Sequence, residues 1–396
     1  MNIPDFVLSI ISKIEDAGFE AYAVGGCVRD SLMGKVPTDW DLTTSALPEE
    51  IQRIFEVETV IPTGIKHGTV TVIIEHNPVE ITTFRIDGKY TDNRHPSNVT
   101  FSTDICQDLA RRDFTINAMA YNPKIGLIDP FGGQDDLRRG IIRTVGNPAQ
   151  RFSEDALRIM RAIRFSATLG FELEDDTSAA LFCCRDLLAD ISAERITTEL
   201  NKTLLANNPW PILTKHLPIL EKRLFGNEFD AKTILFENIS FIPPVLSQRL
   251  AVFIYNIAGE NLIVSQNFFA RLRYDTKTRY RVMTILENLN TELPPDRILI
   301  RKHLKRFGAD CLSDIMSVKS ALGHSVANSK TILDQVISSN DCCSLKQLDI
   351  TGGDLKEKFD LSGREIGSVL DMLLDAVIEE KCENKKDTLL AYLENK

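Results

Sequence analysis

Between Pro4 and Gly18 the apolar residues Phe6, Val7, Ile10, Ile11 and Ile14 recur at helical spacing, which predicts an amphipathic helix with its own start and stop residues. The pattern then shortens. Glu20 to Val24 predicts a strand running directly into Gly25 and Gly26, a turn of helix follows over Val28 to Met33, and a second strand is predicted over Asp39 to Thr43. Pro48 to Phe55 reads as a helix, and Thr69 to Ile74 and Val79 to Phe84 read as strands joined by a turn at His76-Asn77-Pro78. These elements make a mixed α/β unit reaching to about residue 140. No Gly-x-Gly-x-x-Gly joins a strand to a long helix, so it is not a Rossmann half.

From about residue 150 helical periodicity takes over, with Leu157, Met160, Ile163 and Ala167 as one apolar stripe and Leu200, Leu204 and Leu205 in a later one. Asn208-Pro209-Trp210-Pro211, Ile242-Pro243-Pro244 and Leu293-Pro294-Pro295 mark breaks between helical blocks. Ser362-Gly-Arg-Glu365 is a capping box that opens a helix to about Glu380. Residues 85–105 are polar and turn-rich without a clean strand or helix pattern, a length suited to a functional loop.

Composition narrows the chemistry. The chain has 396 residues, 43% hydrophobic and 26% charged, enough for several cores and incompatible with a hormone or disulfide miniprotein. No segment approaches the roughly 20 apolar residues of a membrane span, and the first stretch carries acids and no basic leader; a cytoplasmic protein without a membrane partner is expected. The 8 cysteines include no Cys-x-x-Cys and the 6 histidines no His-x-x-x-His. That excludes a zinc knuckle and leaves carboxylates to hold any metal, which suits Mg2+.

The strongest signal lies in VGGCVRDSLMGKVPTDWDLTT. Strand geometry sends Asp39 and Asp41 to the same side, where two like charges are costly unless a cation lies between them. A solvated strand-end pair is the plain alternative, but Gly25 and Gly26 let the backbone fold closely around an anion and Arg29 follows to clamp a phosphate oxygen. Together they describe a site for a metal-bound polyphosphate, with Asp30 orienting Arg29.

With that segment, DLARRDFTINAMAYN, LIDPFGGQDDLRRGIIRTVGNP, RFSEDALRIMRAIRFSATLGF and ISAERITTEL follow in an order that resembles the class II tRNA nucleotidyltransferases, the CCA-adding enzymes and their poly(A) polymerase relatives. The resemblance implies an α/β head of the DNA polymerase β-like nucleotidyltransferase type followed by an elongated all-α neck, body and tail. With the breaks above, it divides the chain into a catalytic head over residues 1–140, a base-recognising neck over 141–207, a body over 208–290 and a tRNA-binding tail over 291–396. It implies template-independent addition of C, C and A to the tRNA 3′ end from CTP and ATP, with CC-only, A-only and poly(A) addition as the nearest alternatives. A non-catalytic tRNA-binding protein would leave the metal pair idle. No His-Asp dyad occurs, so an added phosphohydrolase domain is not expected.

The resemblance implies that Gly25, Gly26, Arg29 and Asp30 lie near the triphosphate and that Asp39 and Asp41 are the catalytic metal ligands. Glu80 is a candidate third carboxylate, against a salt-bridged strand residue. Arg111, Arg112 and Asp113 match a motif associated with the bound nucleotide, with Asp113 near a helix start and Asn117 on its side; an Asp can accept from a ribose hydroxyl while an Arg reaches phosphate. In the ED-x-x-R match, Asp155 and Arg158 act as the template for the base and Glu154 orients Arg158. On one helix, Asp155 and Arg158 would otherwise be an ordinary surface pair worth ~0.2–0.5 kcal/mol. A carboxylate accepts the amino group of cytosine or adenine, and Asp155 left facing the carbonyl of uracil or guanine costs ~1–3 kcal/mol. Arg161 and Arg164 supply support or phosphate charge. The intact segment 85–105, with Arg85, Asp87, Lys89, Tyr90, Asp92, Arg94 and His95, favours complete CCA addition, because CC-only relatives lack part of that loop.

The net charge of -10 argues against an indiscriminate polyanion binder, yet basic residues concentrate locally. Arg138, Arg139, Arg143, Arg151, Arg158, Arg161 and Arg164 run from head to neck. Arg271, Arg273, Lys277, Arg279 and Arg281 face one acid, Asp275, and Arg301, Lys302, Lys305 and Arg306 form a further cluster. Solvated helix faces at 270–285 and 300–307 are the plain reading; with the resemblance, contacts to the tRNA acceptor stem and outer corner are expected. Tyr274 and Tyr280, six residues apart on one predicted helix, would not share a face.

Overall fold

In the first strand, β1 (Ala21–Val24), every residue is buried. Ala21 and Ala23 join one core and Tyr22 and Val24 another, so a short continuous apolar run is a strand covered on both faces. The computed structural model describes residues 1–88, 99–226, 241–359 and 361–395 and divides into two compact units, residues 1–230 and 231–396.

The first unit begins with helix α1 (Asp5–Asp16), whose Val7, Ile10, Ile11 and Ile14 are buried as the periodicity predicts. After β1 come α2 (Gly26–Leu32), β2 (Asp41–Thr44), α3 (Pro48–Ile54), β3 (Thr59–Gly64), β4 (Thr69–Ile74), β5 (Asn77–Thr83), β6 (Arg85–Asp87), β7 (Val99–Phe101), α4 (Ile105–Ala110), β8 (Ala120–Asn122) and β9 (Gly126–Ile128). Seven strands form one sheet in the order β3-β4-β5-β2-β1-β8-β9. The β2–β5 pair is parallel and its neighbours are antiparallel.

Two local expectations change. The β4–β5 turn is Glu75-His76, both with positive φ, while Asn77 and Pro78 already pair with Ile74 and Ile73. The segment read as patternless holds β6 and β7, paired from Arg85–Phe101 to Asp87–Val99. Three-residue strands are too short for alternation to register. Lys89, Tyr90, Asp92, Arg94 and His95 lie outside the described residues.

Helices α5 (Gly133–Arg139), α6 (Pro148–Glu154), α7 (Leu157–Leu169), α8 (Asp175–Cys183), α9 (Ala193–Leu204) and α10 (Trp210–Phe225) complete this unit, with β10 (Ile141–Ile142) and β11 (Glu172–Leu173) paired in parallel among them. The stripe Leu157, Met160, Ile163 and Ala167 is buried on α7.

The described part of the second unit is helical: α11 (Leu246–Ala258), α12 (Leu262–Leu272), α13 (Thr276–Glu287), α14 (Arg297–Phe307), α15 (Ala309–Ala321), α16 (Ala327–Ser338), α17 (Gly352–Phe359), α18 (Gly363–Ile378) and α19 (Lys386–Glu394). The Ser362–Glu365 capping box opens α18. The basic stretch at 270–285 is two helices, because Asp275 caps α13 by accepting from Thr278 N at 2.9 Å. Tyr274 therefore lies in the link, its ring 5.9 Å from Phe268 and 5.3 Å from Phe269, whereas Tyr280 on α13 is 73% exposed. No helix among the described residues is long and apolar enough to cross a membrane.

Candidate active site

One end of the sheet gathers the glycine turn, the carboxylates and the motif after α4. Antiparallel pairing sets Ala23 opposite Leu42, so Asp41 enters β2 where β1 runs out into Gly25. Cys27 Sγ lies 3.8 Å from Asp41 O, and Gly25 N donates to Met119 O at 3.2 Å. Gly25 has φ +80°, and a Cβ there would stand 3.1 Å from an Arg112 guanidinium nitrogen. The positive φ favours glycine at this position, and a side chain there would also crowd the Arg112 guanidinium. Gly26 is the first residue of α2, which leaves the first amides of that helix without intrahelical acceptors.

Asp39 precedes the strand instead of opening it, since β2 begins at Asp41. The alternation nevertheless reaches back: Asp39 and Asp41 are exposed while Trp40 and Leu42 are buried. Glu80 is exposed beside Asp41 in parallel register on β5. Partial burial of its carboxyl, then Glu80, push Asp41 above the usual carboxylate range; Arg112 opposes this and Asp39 adds to it. A carboxylate whose proton affinity is raised in this way beside other anionic oxygens fits a hard divalent cation. Among the described residues no three His, Cys, Asp or Glu side chains form a closed metal cage. An open pair is what Mg2+ takes, because it keeps waters and substrate phosphates as its other ligands.

Behind this pair Asp108 is fully buried on α4. It accepts from Arg111 Nη2 at 2.8 Å and from Arg112 Nη2 at 3.2 Å, and Thr43 Oγ1 lies 3.4 Å away. Asp108 thus sets the two arginines before Asp113, yet the motif reading left it out; its spacing of three and four residues from them on a helix is the available signal. The segment after Asp113 is a three-residue 3-10 turn, Thr115–Asn117, feeding β8, rather than a helix with Asp113 at its start.

A continuous polar chain runs through four predicted residues. Arg29 Nη1 donates to Asn117 Oδ1 at 2.7 Å, Asn117 Nδ2 to Asp113 Oδ1 at 3.1 Å, and Arg161 Nε to Asp113 Oδ2 at 2.7 Å. Arg29 Nε also meets Asp30 Oδ1 at 2.9 Å, the orienting contact expected of Asp30. Burial alone would raise the Asp113 carboxyl, but Arg161, the Asn117 amide and Arg158 outweigh it and bring it to about 2. With Phe114 N donating as well, the acceptor positions of Asp113 are used. In this geometry it holds Asn117 and Arg161.

Asp155 and Arg158 do not share a helix. α6 ends at Glu154, Asp155 follows with φ of -138° and ψ of 102°, which are extended, and α7 starts at Leu157. Asp155 Oδ2 accepts from Arg195 Nη2 of α9 at 2.9 Å. Arg158 donates to Glu154 Oε2 at 2.9 Å, Arg151 O at 3.1 Å and Arg111 O at 2.9 Å, so Glu154 orients it as expected. Arg195 was missed as a site residue although its segment was among the matches, because its partner lies 40 residues away. Its Nη1 is buried without a partner among the described residues. Arg164 Nε donates to Glu199 Oε2 at 2.5 Å.

Residues 21–143 match the poly A polymerase head domain, residues 170–215 a segment described as "Probable RNA and SrmB-binding site of polymerase A", and residues 247–393 a second domain of tRNA nucleotidyltransferases. The CCA-adding enzyme of Streptococcus gordonii is 35% identical over 398 residues, covering 98% of this chain and 96% of its own length. That of Lactobacillus helveticus is 34% identical, with 100% and 98% covered. A Bacillus stearothermophilus CCA-adding enzyme in complex with CTP superposes with a TM-score of 0.80 at 31% identity, over 100% of this chain and 98% of that one. Similar in fold at 20% identity is a Thermotoga maritima CCA-adding enzyme complexed with tRNA (TM-score 0.68). The chain belongs to the CCA-adding enzyme family, with that family's α/β head followed by helices.

Proposed function

We propose that this chain adds C, C and A in turn to the tRNA 3′ end from CTP and ATP, releasing pyrophosphate at each step, and that the sheet end just described is where it does so. The observation that carries this is the convergence there of Asp39, Asp41, the Gly25 turn and the Arg29–Asn117–Asp113–Arg161 chain.

Asp39 and Asp41 would hold Mg2+, with Glu80 beside Asp41. When bound, the ion neutralises charge on the phosphates and polarises the α-phosphorus. The glycine turn lets phosphate oxygens approach the backbone, and Arg29, fixed by Asp30 and Asn117, donates to them. Arg112, fixed by Asp108 beside Gly25, adds a second fork. Asp113 serves the nucleotide by keeping Asn117 and Arg161 in place. The terminal 3′-hydroxyl oxygen attacks the α-phosphorus as its proton passes to a carboxylate or water, and pyrophosphate leaves with the electron pair of the broken bond.

Asp155 accepts the exocyclic amino group and Arg158 donates to the ring edge, with Arg164 and Arg161 beside them. Head, neck, body and tail boundaries at 140, 207 and 290 are the functional division that goes with this reading, and the cytoplasm is its setting.

RNA phosphates dock on α12 and α13. Arg271, Lys277 and Arg279 are exposed there without an ion pair among the described residues. The cluster on α14 is committed elsewhere: Arg301 is 6% exposed and donates to Val377 O and Ile378 O, Lys302 pairs with Glu379, and Lys305 with Asp371 and Asp375. Of that set Arg306, exposed and lying over the Phe307 ring, is without an ion pair among the described residues and can meet a phosphate.

The test is to incubate purified protein with tRNA lacking CCA, with tRNA ending in CC and with generic RNA, supplying CTP, ATP or both, and to sequence the products. Complete CCA on the first, A on the second and no extension of the third are expected. Growth of A tails on generic RNA would overturn the reading.

A further inference from the structure

One ring touches three of the arginines above. Phe165 on α7 is 4% exposed, and the guanidinium carbons of Arg29, Arg161 and Arg164 lie 5.2, 5.3 and 4.0 Å from its centroid. Significant cation–π contacts occur about once per 70–80 residues, so three on one ring exceed what ordinary core packing produces. Phe114 fixes the ring edge-on at 5.7 Å and 83°, immediately after Asp113 in the chain. Each arginine is also held by its own acceptors: Arg29 by Asp30 and Asn117, Arg161 by Asp113, Arg164 by Glu199. Arg29 comes from α2 while the other two share α7 with the ring.

We propose that Phe165 is a positioning residue that holds Arg29, Arg161 and Arg164 as one array toward the nucleotide. Its electron-rich faces offset the mutual repulsion of three neighbouring cations, and its apolar bulk keeps water from competing for their planes. The proposal rests on the reading of Arg29 as a phosphate donor. It adds that phosphate binding and the α7 arginines are coupled through the ring.

The test replaces Phe165 by mono-, di- and trifluorophenylalanine, which keeps the shape and the fold while cancelling the ring's negative face. KM for CTP and for ATP is expected to rise with each fluorine, to about 10-fold at three, with KM for tRNA and the melting temperature unchanged. Phe165→Leu should match the trifluoro protein and Phe165→Trp should restore part of the loss. A flat fluorine series together with a raised nucleotide KM in Arg29→Ala overturns the positioning role alone. If neither the series nor Arg29→Ala moves nucleotide KM, the assignment of Arg29 falls with it.

Discussion

The arginines of the sheet-end site and those of α12 and α13 share a chemistry and are used in opposite ways. At the site, Arg158 is 8% and Arg29 9% exposed, and each is fixed by partners on more than one segment. On α12 and α13, Arg271, Lys277 and Arg279 stand in solvent with no ion pair among the described residues. Fixed forks suit a small ligand whose atoms must be met at set positions; free cations suit a polyanion met along its length. The α14 cluster shows that basic sequence alone does not separate these cases, since most of its charge is consumed inside the fold.

The largest expected effect comes from the pair proposed to hold the metal. Asp39→Ala with Asp41→Ala should slow single-turnover nucleotide addition by about 1,000-fold or more, as loss of a metal-assisted step does, with little change in melting temperature because both residues are exposed. Unchanged activity would remove the catalytic assignment.

Asp113→Ala should cost about 1–3 kcal/mol of stability by leaving the buried Asn117 amide and the half-buried Arg161 without their acceptor. Because the folded carboxyl sits at about 2, below its ordinary value, its contribution is complete above about pH 4 and drains away as pH falls toward 2. Urea melts of both proteins should therefore differ by a constant amount from pH 7 to 4 and converge below that.

Removing Arg271, Lys277 and Arg279 together should lower the slope of log affinity for tRNA against log salt by about 2–3 and leave nucleotide KM alone. An unchanged slope would place the RNA elsewhere. The smallest effect sharpens the contrast: Lys302→Ala with Lys305→Ala should shift tRNA affinity less than twofold and lower the melting temperature only slightly, since these lysines pair with partly exposed carboxylates on α18 and at its C-terminal end. A loss as large as that of the α12–α13 triple would erase the difference between the two clusters.

Periodicity made α1, the β1 strand, the glycine turn and the α18 capping box legible, because each is decided by residues a few positions apart. The Asp39–Asp41 alternation was legible for the same reason, although regular pairing starts only at Asp41. The break between α6 and α7 was not, since FSEDALR contains neither Gly nor Pro to mark it. Asp113–Arg161 and Asp155–Arg195 join residues 48 and 40 positions apart, and local pattern is silent about such pairs. The burial of Arg301 depends on carbonyls of α18 lying 76 and 77 residues on, while its own helix looks like any basic surface helix.

The extended backbone at Asp155 has a mechanical consequence. Arg158 rides on the α7 rod, tethered to the carbonyls of Arg151 and Arg111, and Asp155, tethered to Arg195 of α9, sits in the single non-helical linkage that joins α7 to the α6 rod. A few degrees of torsion at that joint change the gap they present without unwinding either rod. On the proposed role of these two residues, accepting a pyrimidine twice and a purine once asks for an adjustable calliper instead of a second pocket.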